Sequence, residues 1–426
     1  MNKNDSAWLK IFSKYDVIDN INTQGFFEIN STQINQFREA RLMTKFDHKS
    51  QLPTIFASNN LSILPISRGG YVIGEFDTFH DFNTDNIEIT HINFPTFLES
   101  LDYKDITSES TAINCAFVSK ILHDFTEEES LLPTVSGRMS SSSFSFDIKS
   151  NMTTFNVSVV NSQVEIDGGY EGDSSLNIIE AKNYISNDFL IRQLYYPYKL
   201  WSNKIQKKVR PIFLTYTNGV FHLREYVFAD VSNYNSLVLV KHKKYAIQDG
   251  AFNIEDLEEI LNRTVLVGEP DIPFPQANSF ERIINLCELL SQKDFLSKED
   301  ITVNYDFDSR QTDYYLNAAK YLGLISIGRD NISNQIGSTL TQQGKRLFAL
   351  DLINRQKEFI KLIVSHKAFK NTLLMLLKKG EMPTKHEIVD IMKNSQLYNI
   401  TSNTTYYRRA STIIGWINWI VNQIEE

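Results

Sequence analysis

The sequence predicts a multidomain α+β (α/β) protein with a central mixed sheet followed by helical units. Three observations predict this class. The chain has 426 residues, which at roughly 100–200 residues per domain allows two to four domains. Between residues 143 and 230, strand-like segments surround one helix-like segment, as in a mixed sheet. After residue 280, apolar residues recur at helical spacing, with one short hairpin-like insert at 325–340.

Composition argues against several classes of protein. Two cysteines, 172 positions apart, form neither a disulfide framework nor a CxxC zinc site. No apolar run has the length of a membrane span, and the first residues lack the pattern of a secretory signal. We therefore expect a soluble, reduced, intracellular protein with no membrane partner. The motifs GxxxxGK[ST], GxGxxG, HExxH and GxSxG do not occur, which argues against ATP-driven motors, dinucleotide enzymes, zinc proteases and serine hydrolases.

Charge is unevenly distributed along the chain. The net charge is -8. Residues 280–426 contain 19 Lys and Arg against 16 Asp and Glu, a balance of +3, which leaves 24 against 35, a balance of -11, for residues 1–279. A basic C-terminal part on an acidic body predicts that any phosphate-binding surface is local.

The patterns divide the chain into five segments. Residues 1–105 are mixed and their role is open, with DNA recognition as one option. Residues 106–263 hold the predicted α/β module, and the stretch 264–279, which contains three prolines, predicts a linker. Residues 280–350 have the helix and hairpin order of a winged helix-turn-helix, and residues 351–426 predict a second helical, winged-helix-like unit for DNA binding or dimerisation.

The most informative chemistry lies in one strand-like segment, LNIIEAK (176–182). Glu180 and Lys182 are two positions apart, so their side chains leave the same face of a strand that is apolar on both faces. A glycine-containing hairpin could bring Asp167, at the end of the preceding strand, beside Glu180. Two carboxylates that converge at a sheet end can hold Mg²⁺, which polarises a scissile phosphate and lowers the pKa of a water molecule. Lys182 could orient that water or stabilise developing charge.

Several alternatives stay open around this segment. The Glu180–Lys182 pair could instead be a cross-strand salt bridge on an exposed strand. Gln193, in the following helix, either contacts a metal-bound water or a phosphate, or is merely hydrogen-bonded in a helix that packs on the sheet. One of the three acids Glu127–Glu129 either adds a carboxylate to the metal site or belongs to a solvated helix end.

The quoted residues resemble a known nuclease family. Ile166-Asp167, twelve intervening residues and Glu180-Ala181-Lys182 resemble the PD-(D/E)XK signature, with Ile166 where a proline is expected. The segment EAKNYISNDFLIRQLYYPYKLW resembles the middle of a group of type II restriction endonucleases. The segments SGRMSSSSFSFDI and YLNAAKYLGLI are similar to the same group. The resemblance spans roughly residues 110–426.

This resemblance implies a Mg²⁺-dependent, sequence-specific double-strand DNA endonuclease with Asp167, Glu180 and Lys182 as catalytic residues and Gln193 as a fourth candidate. Asp167 and Glu180 would be the metal ligands. It also implies a homodimer on a palindromic site, a cognate DNA methyltransferase as a separate partner, and a place in the bacterial cytoplasm. The alternatives are a structure-specific repair or recombination nuclease, and a winged-helix DNA-binding regulator whose sheet domain has lost catalysis.

Basic and amide side chains are predicted to contact the DNA. The run KLWSNKIQKKVR (199–210) contains no acid and suits a phosphate backbone next to the proposed site, with a solvated face as its alternative. In the predicted helix at 307–322, an apolar stripe leaves Arg, Gln and Asn on the other side, and these residues pair with base edges. Arginines in the hairpin and near the start of the last helix complete the prediction. The predicted DNA-binding residues are Lys204, Lys207, Lys208, Arg310, Gln311, Asn317, Lys320, Arg329, Arg408 and Arg409.

Overall fold

The structure, a computed structural model, describes residues 3–82, 87–150, 153–247, 252–307, 309–330 and 334–424. The chain groups into two compact units. The first comprises residues 1–92, 108–216 and 220–246, and the second comprises residues 93–107, 217–219 and 247–426. The predicted mixed α+β class, with a central mixed sheet and helices towards the C-terminus, is confirmed.

The N-terminal part of the first unit has a small core of its own. Strands β1, β3 and β2 form an antiparallel sheet in that order. Beside it, the ring of the fully buried Trp8 lies 4.8 Å from that of Phe56. Its elements are α1 (Lys3–Lys14), α2 (Val17–Gln24), β1 (Phe26–Asn30), α3 (Ser31–Asn35), α4 (Ala40–Met43), α5 (Thr54–Ser58), β2 (Ser62–Pro65), β3 (Gly70–Gly74), β4 (Phe79–Asp81) and β5 (Ile89–Ile92).

A seven-stranded sheet dominates the rest of the first unit. The elements of this part of the chain are α6 (Glu109–Val118), α7 (Ile121–Thr126), β6 (Leu131–Ser140), β7 (Ser143–Lys149), β8 (Thr154–Val160), β9 (Gln163–Gly172), β10 (Ser175–Lys182), β11 (Asp188–Leu190), α8 (Arg192–Ser202), β12 (Lys208–Thr217), β13 (Val220–Phe228) and β14 (Leu237–Ile247). The strand order is β5-β14-β13-β12-β10-β9-β6. Strand β10 runs parallel to β12 and antiparallel to β9, and all of its residues are buried. The expected mixed sheet with a covered central strand is therefore present.

Three details of this unit differ from the sequence prediction. The apolar spacing at 111–124 predicts a single helix, but this stretch is divided into α6 and α7 because Lys120 has a left-handed backbone, with φ 67°. The sequence also predicts a helix from about Asp188 to Asn203, but Asp188–Leu190 form strand β11, which pairs with β4. Strands β4 and β5 both belong to this unit, so the expected boundary at residue 106 lies too far along the chain.

The second unit begins with a helical segment that contains a small sheet. Its elements are α9 (Ile254–Arg263), α10 (Phe280–Gln292), β15 (Leu296–Ser297), α11 (Lys298–Asn304), α12 (Ser309–Tyr321), β16 (Ile325–Arg329), β17 (Ile336–Leu340) and α13 (Gln342–Phe348). The strand order is β15-β17-β16. The apolar stripe predicted for α12 is buried, including Ala318 and Ala319. Gly323, with φ 72°, follows the helix, where a left-handed backbone favours glycine. Residues 331–333 of the hairpin lie outside the described residues.

The last part of the chain is helical. Its elements are α14 (Leu352–Val364), α15 (Lys367–Lys379), α16 (Lys385–Lys393) and α17 (Asn403–Val421). The described residues of 351–424 contain no strand, so the second winged-helix-like unit expected here has no wing in that range. Trp416 is fully buried and stacks on Phe369 at 4.8 Å, so it belongs to the core of this part of the chain.

The stretch 264–279 differs from a free linker. It has no regular helix or strand, as its prolines predict, but it packs tightly within the second unit. Phe274 is buried and stacks on Phe369 at 5.5 Å. The indole Nε1 of Trp416 donates a 2.7 Å hydrogen bond to the carbonyl of Ala277. The prolines prevent a regular helix or strand in this stretch. Its buried apolar side chains and backbone carbonyls nevertheless attach it to the neighbouring helices.

Among the described residues, no helix combines the length and the hydropathy needed to cross a bilayer.

We expect Phe274→Ala to destabilise the second unit by roughly 3–5 kcal/mol, since it removes a buried ring and leaves a cavity. Val265→Ala, in the same stretch but 81% exposed, should change stability by less than about 0.5 kcal/mol. Denaturant unfolding of the full chain, followed by tryptophan fluorescence, measures both. Equal and small effects would mean that the stretch is a free linker after all.

Candidate functional site

The register of two strands brings Asp167 beside Glu180. Strand β9 pairs with β10 so that Gly168 is opposite Ile179, and Asp167 and Glu180 are the next residues along each strand. The carboxylate Oδ2 of Asp167 accepts a 2.8 Å hydrogen bond from the backbone N–H of Ala181. On the other side of β9, Gly169 lets β6 approach closely, because a Cβ at that position would lie 2.7 Å from the Cβ of Val135.

Glu180, Lys182 and Gln193 meet at one carboxylate oxygen. The Nζ of Lys182 lies 2.6 Å from Oε1 of Glu180, and the Nε2 of Gln193 donates to the same oxygen at 2.7 Å. The side chains of Glu180 and Lys182 are only 11% and 10% exposed. The pair is therefore not a salt bridge on an exposed strand, and Gln193 contacts the candidate site directly.

A further carboxylate joins the cluster from a position that the sequence did not indicate. Glu109 is the first residue of α6, and its Oε1 lies 3.6 Å from Nζ of Lys182. Ser108 caps this helix by accepting a hydrogen bond from the backbone N–H of Thr111, which fixes the start of α6. A helix N-cap was the only sequence signal at this position, and no local pattern relates it to Lys182.

Burial and crowded carboxylates determine the electrostatics of the cluster. Burial raises the pKa of Glu180 to about 8, opposed by Lys182 and reinforced by the charges of Asp167 and Glu109. Burial also raises the pKa of Glu109. For Lys182, burial lowers the pKa, but Glu180 and Glu109 outweigh it and hold that pKa well above its ordinary value. The cluster thus combines a stable ammonium with carboxyl groups whose burial and crowding favour keeping a proton.

Two features of the cluster fit a bound cation. The Oε1 of Gln193 is buried and has no hydrogen-bond partner among the described residues. Asp167 and Glu109 add negative charge beside the buried Glu180. Among the described residues, no three His, Cys, Asp or Glu side chains form a ready ligand set. The carboxylates available for a metal are therefore the pair Asp167 and Glu180, and Mg²⁺ typically uses one or two carboxylates with waters and substrate phosphates.

A second buried network supports the residues after Lys182. The ring of His48 places Nδ1 3.1 Å from Oδ1 of Asp188 and Nε2 2.9 Å from the hydroxyl of Tyr184. The backbone N–H of Lys49 also donates to Asp188. His48 comes from residues 1–105, whose role the sequence left open, so this region holds the chain that follows the Glu-Ala-Lys segment.

The acids Glu127–Glu129 lie away from the cluster. Glu127 forms an ion pair with Lys241. Glu128 accepts hydrogen bonds from the hydroxyls of Ser174 and Ser175, at the hairpin end of β10. The carboxylate that joins the cluster is Glu109 instead.

The basic run 199–210 does not lie next to the candidate site, contrary to the expectation. Lys208 pairs with Ser175 at the start of β10, whereas Glu180 is five residues further along that strand, or about 17 Å at strand spacing. Lys207 bonds to Glu171 at 2.8 Å, and Lys204 lies over the ring of Trp201. The run is therefore at the opposite end of the strand.

The residues predicted to read DNA lie in the second unit. On α12, Arg310, Gln311 and Lys320 are exposed and Asn317 is half-buried, opposite the buried stripe. The Nη1 of Arg329 donates to the carbonyl of Asn334 across the hairpin.

The arginines of the last helix lie near α12. Arg408 is exposed, while Arg409 is half-buried and its Nε has no partner among the described residues. The pKa of Arg409 is lowered by burial and by Arg408, and the nearby phenol of Tyr314 on α12 acts in the opposite direction. The start of α17 therefore lies beside α12.

Three family models match the chain, and each is described only as a domain of unknown function. They match residues 74–246 (DUF6997), residues 282–425 (DUF7226) and residues 5–73 (DUF6996). No curated protein and no solved structure matches the chain. The family model that matches residues 74–246 covers the strands that carry Asp167, Glu180 and Lys182. It begins well before residue 106, in agreement with the place of β4 and β5 in the first unit.

We expect Glu180→Gln to change the pH dependence of unfolding in the presence of a chelator. The folded-state pKa of Glu180 is about 8, above its ordinary 4.5, so between these values the folded chain keeps a proton that the unfolded chain has lost. The stabilisation from this carboxyl is present below about pH 4.5 and is lost as the pH rises towards 8. The Tm of the variant minus that of the wild type should therefore increase from about pH 5 to about pH 8.

The control for this measurement is Glu129→Gln, which removes an exposed carboxylate. Its Tm difference should stay nearly constant over the same range. If the Tm difference between Glu180→Gln and the wild type did not depend on pH, the assignment of a buried carboxyl with a raised pKa would be wrong.

Proposed function

We propose that the chain is a Mg²⁺-dependent endonuclease that cuts double-stranded DNA at a specific sequence. One observation carries the proposal: Asp167, Glu180, Lys182 and Gln193 converge at the end of a buried strand, with Lys182 and Gln193 on the same oxygen of Glu180. Burying the carboxyl of Glu180 and the ammonium of Lys182 beside the half-buried Asp167 costs free energy that a structural role would not require. A phosphodiester hydrolase needs all three groups together.

Each residue would have a distinct part in the reaction. Asp167 and Glu180 would hold Mg²⁺, which when bound polarises the scissile phosphate and lowers the pKa of the attacking water. Lys182, kept as an ammonium by Glu180 and Glu109, would stabilise negative charge that develops on the phosphate. Gln193 would orient Glu180 through Nε2 and accept a hydrogen bond from the water through Oε1. Glu109 would hold Lys182 from the other side.

The second unit would select the DNA sequence. Its order from α10 to β17, helix, strand, two helices and two strands, is that of a winged helix, in which the second helix of the helix-turn-helix pair enters the major groove. Helix α12 is that helix here, and it exposes Arg310, Gln311 and Lys320. Arg408, near the start of α17, would add a phosphate contact. The positive balance of residues 280–426 favours this unit as the DNA reader.

Two cuts on opposite strands require two active sites, so we propose a homodimer on a palindromic sequence. A site-specific endonuclease would also need its host DNA protected, which makes a separate DNA methyltransferase the expected partner in a bacterial cytoplasm.

We expect Asp167→Asn and Glu180→Gln to abolish cleavage of supercoiled plasmid in Mg²⁺ while DNA binding stays measurable, because the carboxylates act on the metal and not on the DNA. Lys182→Met should likewise lower the cleavage rate by about 10² or more. The matched control is Glu165→Gln, an exposed carboxylate on β9 that pairs with Arg138, and it should cut normally.

The products of the wild-type protein separate the proposals. Discrete fragments support a restriction-type enzyme, and cutting of branched DNA alone would instead indicate a structure-specific nuclease. Binding without cutting would indicate a regulator and overturn the nuclease proposal. Thermal shift with Mg²⁺ checks the metal independently, since a ligand at about 100 times its Kd stabilises the fold by roughly 2.7 kcal/mol.

We expect Asn317→Ala to lower the ratio of specific to non-specific DNA affinity by about ten- to a hundredfold, the loss of one bidentate base contact. The double change Lys207→Ala, Lys208→Ala should leave this ratio unchanged, because these lysines lie far from α12 in the sequence and on a different unit. Binding titrations on cognate and random duplexes at several salt concentrations measure both. An unchanged ratio for Asn317→Ala would show that α12 does not read the sequence.

A further inference from the structure

A buried arginine that pairs with no carboxylate of the described residues lies on the sheet beside the candidate site. Arg224, on β13, is 7% exposed. Its Nη1 donates to Oγ1 of Thr215 at 3.2 Å, and its guanidinium lies 4.6 Å from the ring centre of Phe82. Its Nε is buried and has no hydrogen-bond partner, and no carboxylate pairs with it, among the described residues. An isolated buried charge is costly, so a missing anion is the simplest complement.

Two histidines, one on β13 and one on the neighbouring strand β14, extend this cluster. His242 is opposite Arg224 on β14, and both of its ring nitrogens are buried without a partner among the described residues. His222, two residues before Arg224, lies 3.5 Å from the Nη2 of Arg224. Burial and the neighbouring cations lower the pKa of both histidines, to about 4 for His242. Burial is the larger cause of both shifts, and the charges of Arg224 and Lys244 act in the same direction.

The cluster shares its sheet face with the proposed catalytic residues. Lys182 on β10 pairs with Thr215 on the parallel strand β12, so their side chains point to the same side. Thr215 in turn contacts Arg224 on the next strand. Lys182 and Arg224 are therefore two strand spacings apart, or about 10 Å. By contrast, Arg210 on β12 donates two hydrogen bonds to the carboxylate of Glu225. This arginine therefore already has a counter-charge.

We infer that Arg224, Thr215 and His242 form a second anion site, which holds a phosphate of the nucleic acid strand adjacent to the phosphate at Glu180 and Lys182. The inference rests on the proposed function and assigns to it a substrate-positioning subsite. The guanidinium supplies Nε–H and the threonine a hydroxyl, and the ring of Phe82 holds the guanidinium plane. A backbone phosphate is the anion that accompanies a scissile phosphate at this range. Free inorganic phosphate has the same chemistry and is the alternative source.

The first arm of the test measures the site without cleavage. In phosphate-free buffer with chelator, Arg224→Met should raise the Tm of the full chain, because it removes an unpaired buried charge. Inorganic phosphate should raise the Tm of the wild type by about a few degrees at saturation and leave that of Arg224→Met unchanged. The matched control is Arg210→Met, which should lower the Tm, since it leaves Glu225 buried and unpaired, and should keep the phosphate response.

The second arm identifies the source of the anion. In a Glu180→Gln background, which prevents cutting, adding Arg224→Met should weaken binding of a short DNA duplex by roughly ten- to a hundredfold, the loss of a charge-assisted contact. An unchanged DNA affinity with a lost phosphate response would overturn the nucleic-acid source. Thr215→Val, which keeps the side-chain volume, should reduce both the phosphate-induced rise in Tm and the DNA affinity. This variant replaces Arg224→Met in the test if Arg224→Met does not fold.

Two outcomes separate this inference from the proposed function. An equal phosphate response in the wild type and in Arg224→Met would overturn the anion site, whatever the chain cuts. A phosphate response that depends on Arg224 in a protein that never cuts DNA would overturn the proposed function and leave the anion site in place.

Discussion

The burial of the hydrogen-bonded Glu180–Lys182 pair in the central strand is the constraint on which the first unit depends. Two ionisable side chains can lie inside a sheet only if their remaining hydrogen-bonding groups are satisfied and both faces of the strand are covered. Gln193 of α8 supplies one partner on one face, and Glu109 at the start of α6 supplies another. The parallel neighbour β12 and the antiparallel neighbour β9 close the edges. Helix, hairpin and sheet are thus positioned around one polar contact.

Local pattern was sufficient to predict the strand that carries this pair. The run LNIIEAK is apolar on both faces and ends in charge, which identifies a covered strand with polar groups at its end. The hairpin glycines then placed Asp167 opposite Glu180, because an antiparallel register follows from turn position. The same local reasoning predicts strand-like segments between residues 143 and 230, which include β7 and β8, and the buried stripe of α12.

Contacts between distant parts of the chain could not be predicted in this way. Glu109 and His48 lie 73 and 134 positions before Lys182 in the sequence, and nothing in their neighbourhoods indicates that they face the Glu-Ala-Lys segment. The predicted position of the basic run 199–210 was wrong for the opposite reason. It is close in sequence to the candidate site, but α8 crosses the sheet and returns the chain to the far end of β10, so proximity in sequence became separation in space. The stretch 264–279 shows that prolines in a sequence predict an irregular backbone but do not predict whether that backbone packs against the rest of the domain.

The pairing of β4 and β5 has a consequence for any shortened form of the chain. Strand β4 is hydrogen-bonded to β11, and β5 is the outermost strand of the seven-stranded sheet, beside β14. A polypeptide that began at residue 106 would keep Asp167, Glu180 and Lys182 but would leave β14 as an uncovered edge, with Val238 and Val240 already exposed. An open edge with valines is a template for intermolecular strand pairing. Such a fragment should be recovered mainly as aggregate, so the N-terminal residues act as a built-in solubility element for the sheet.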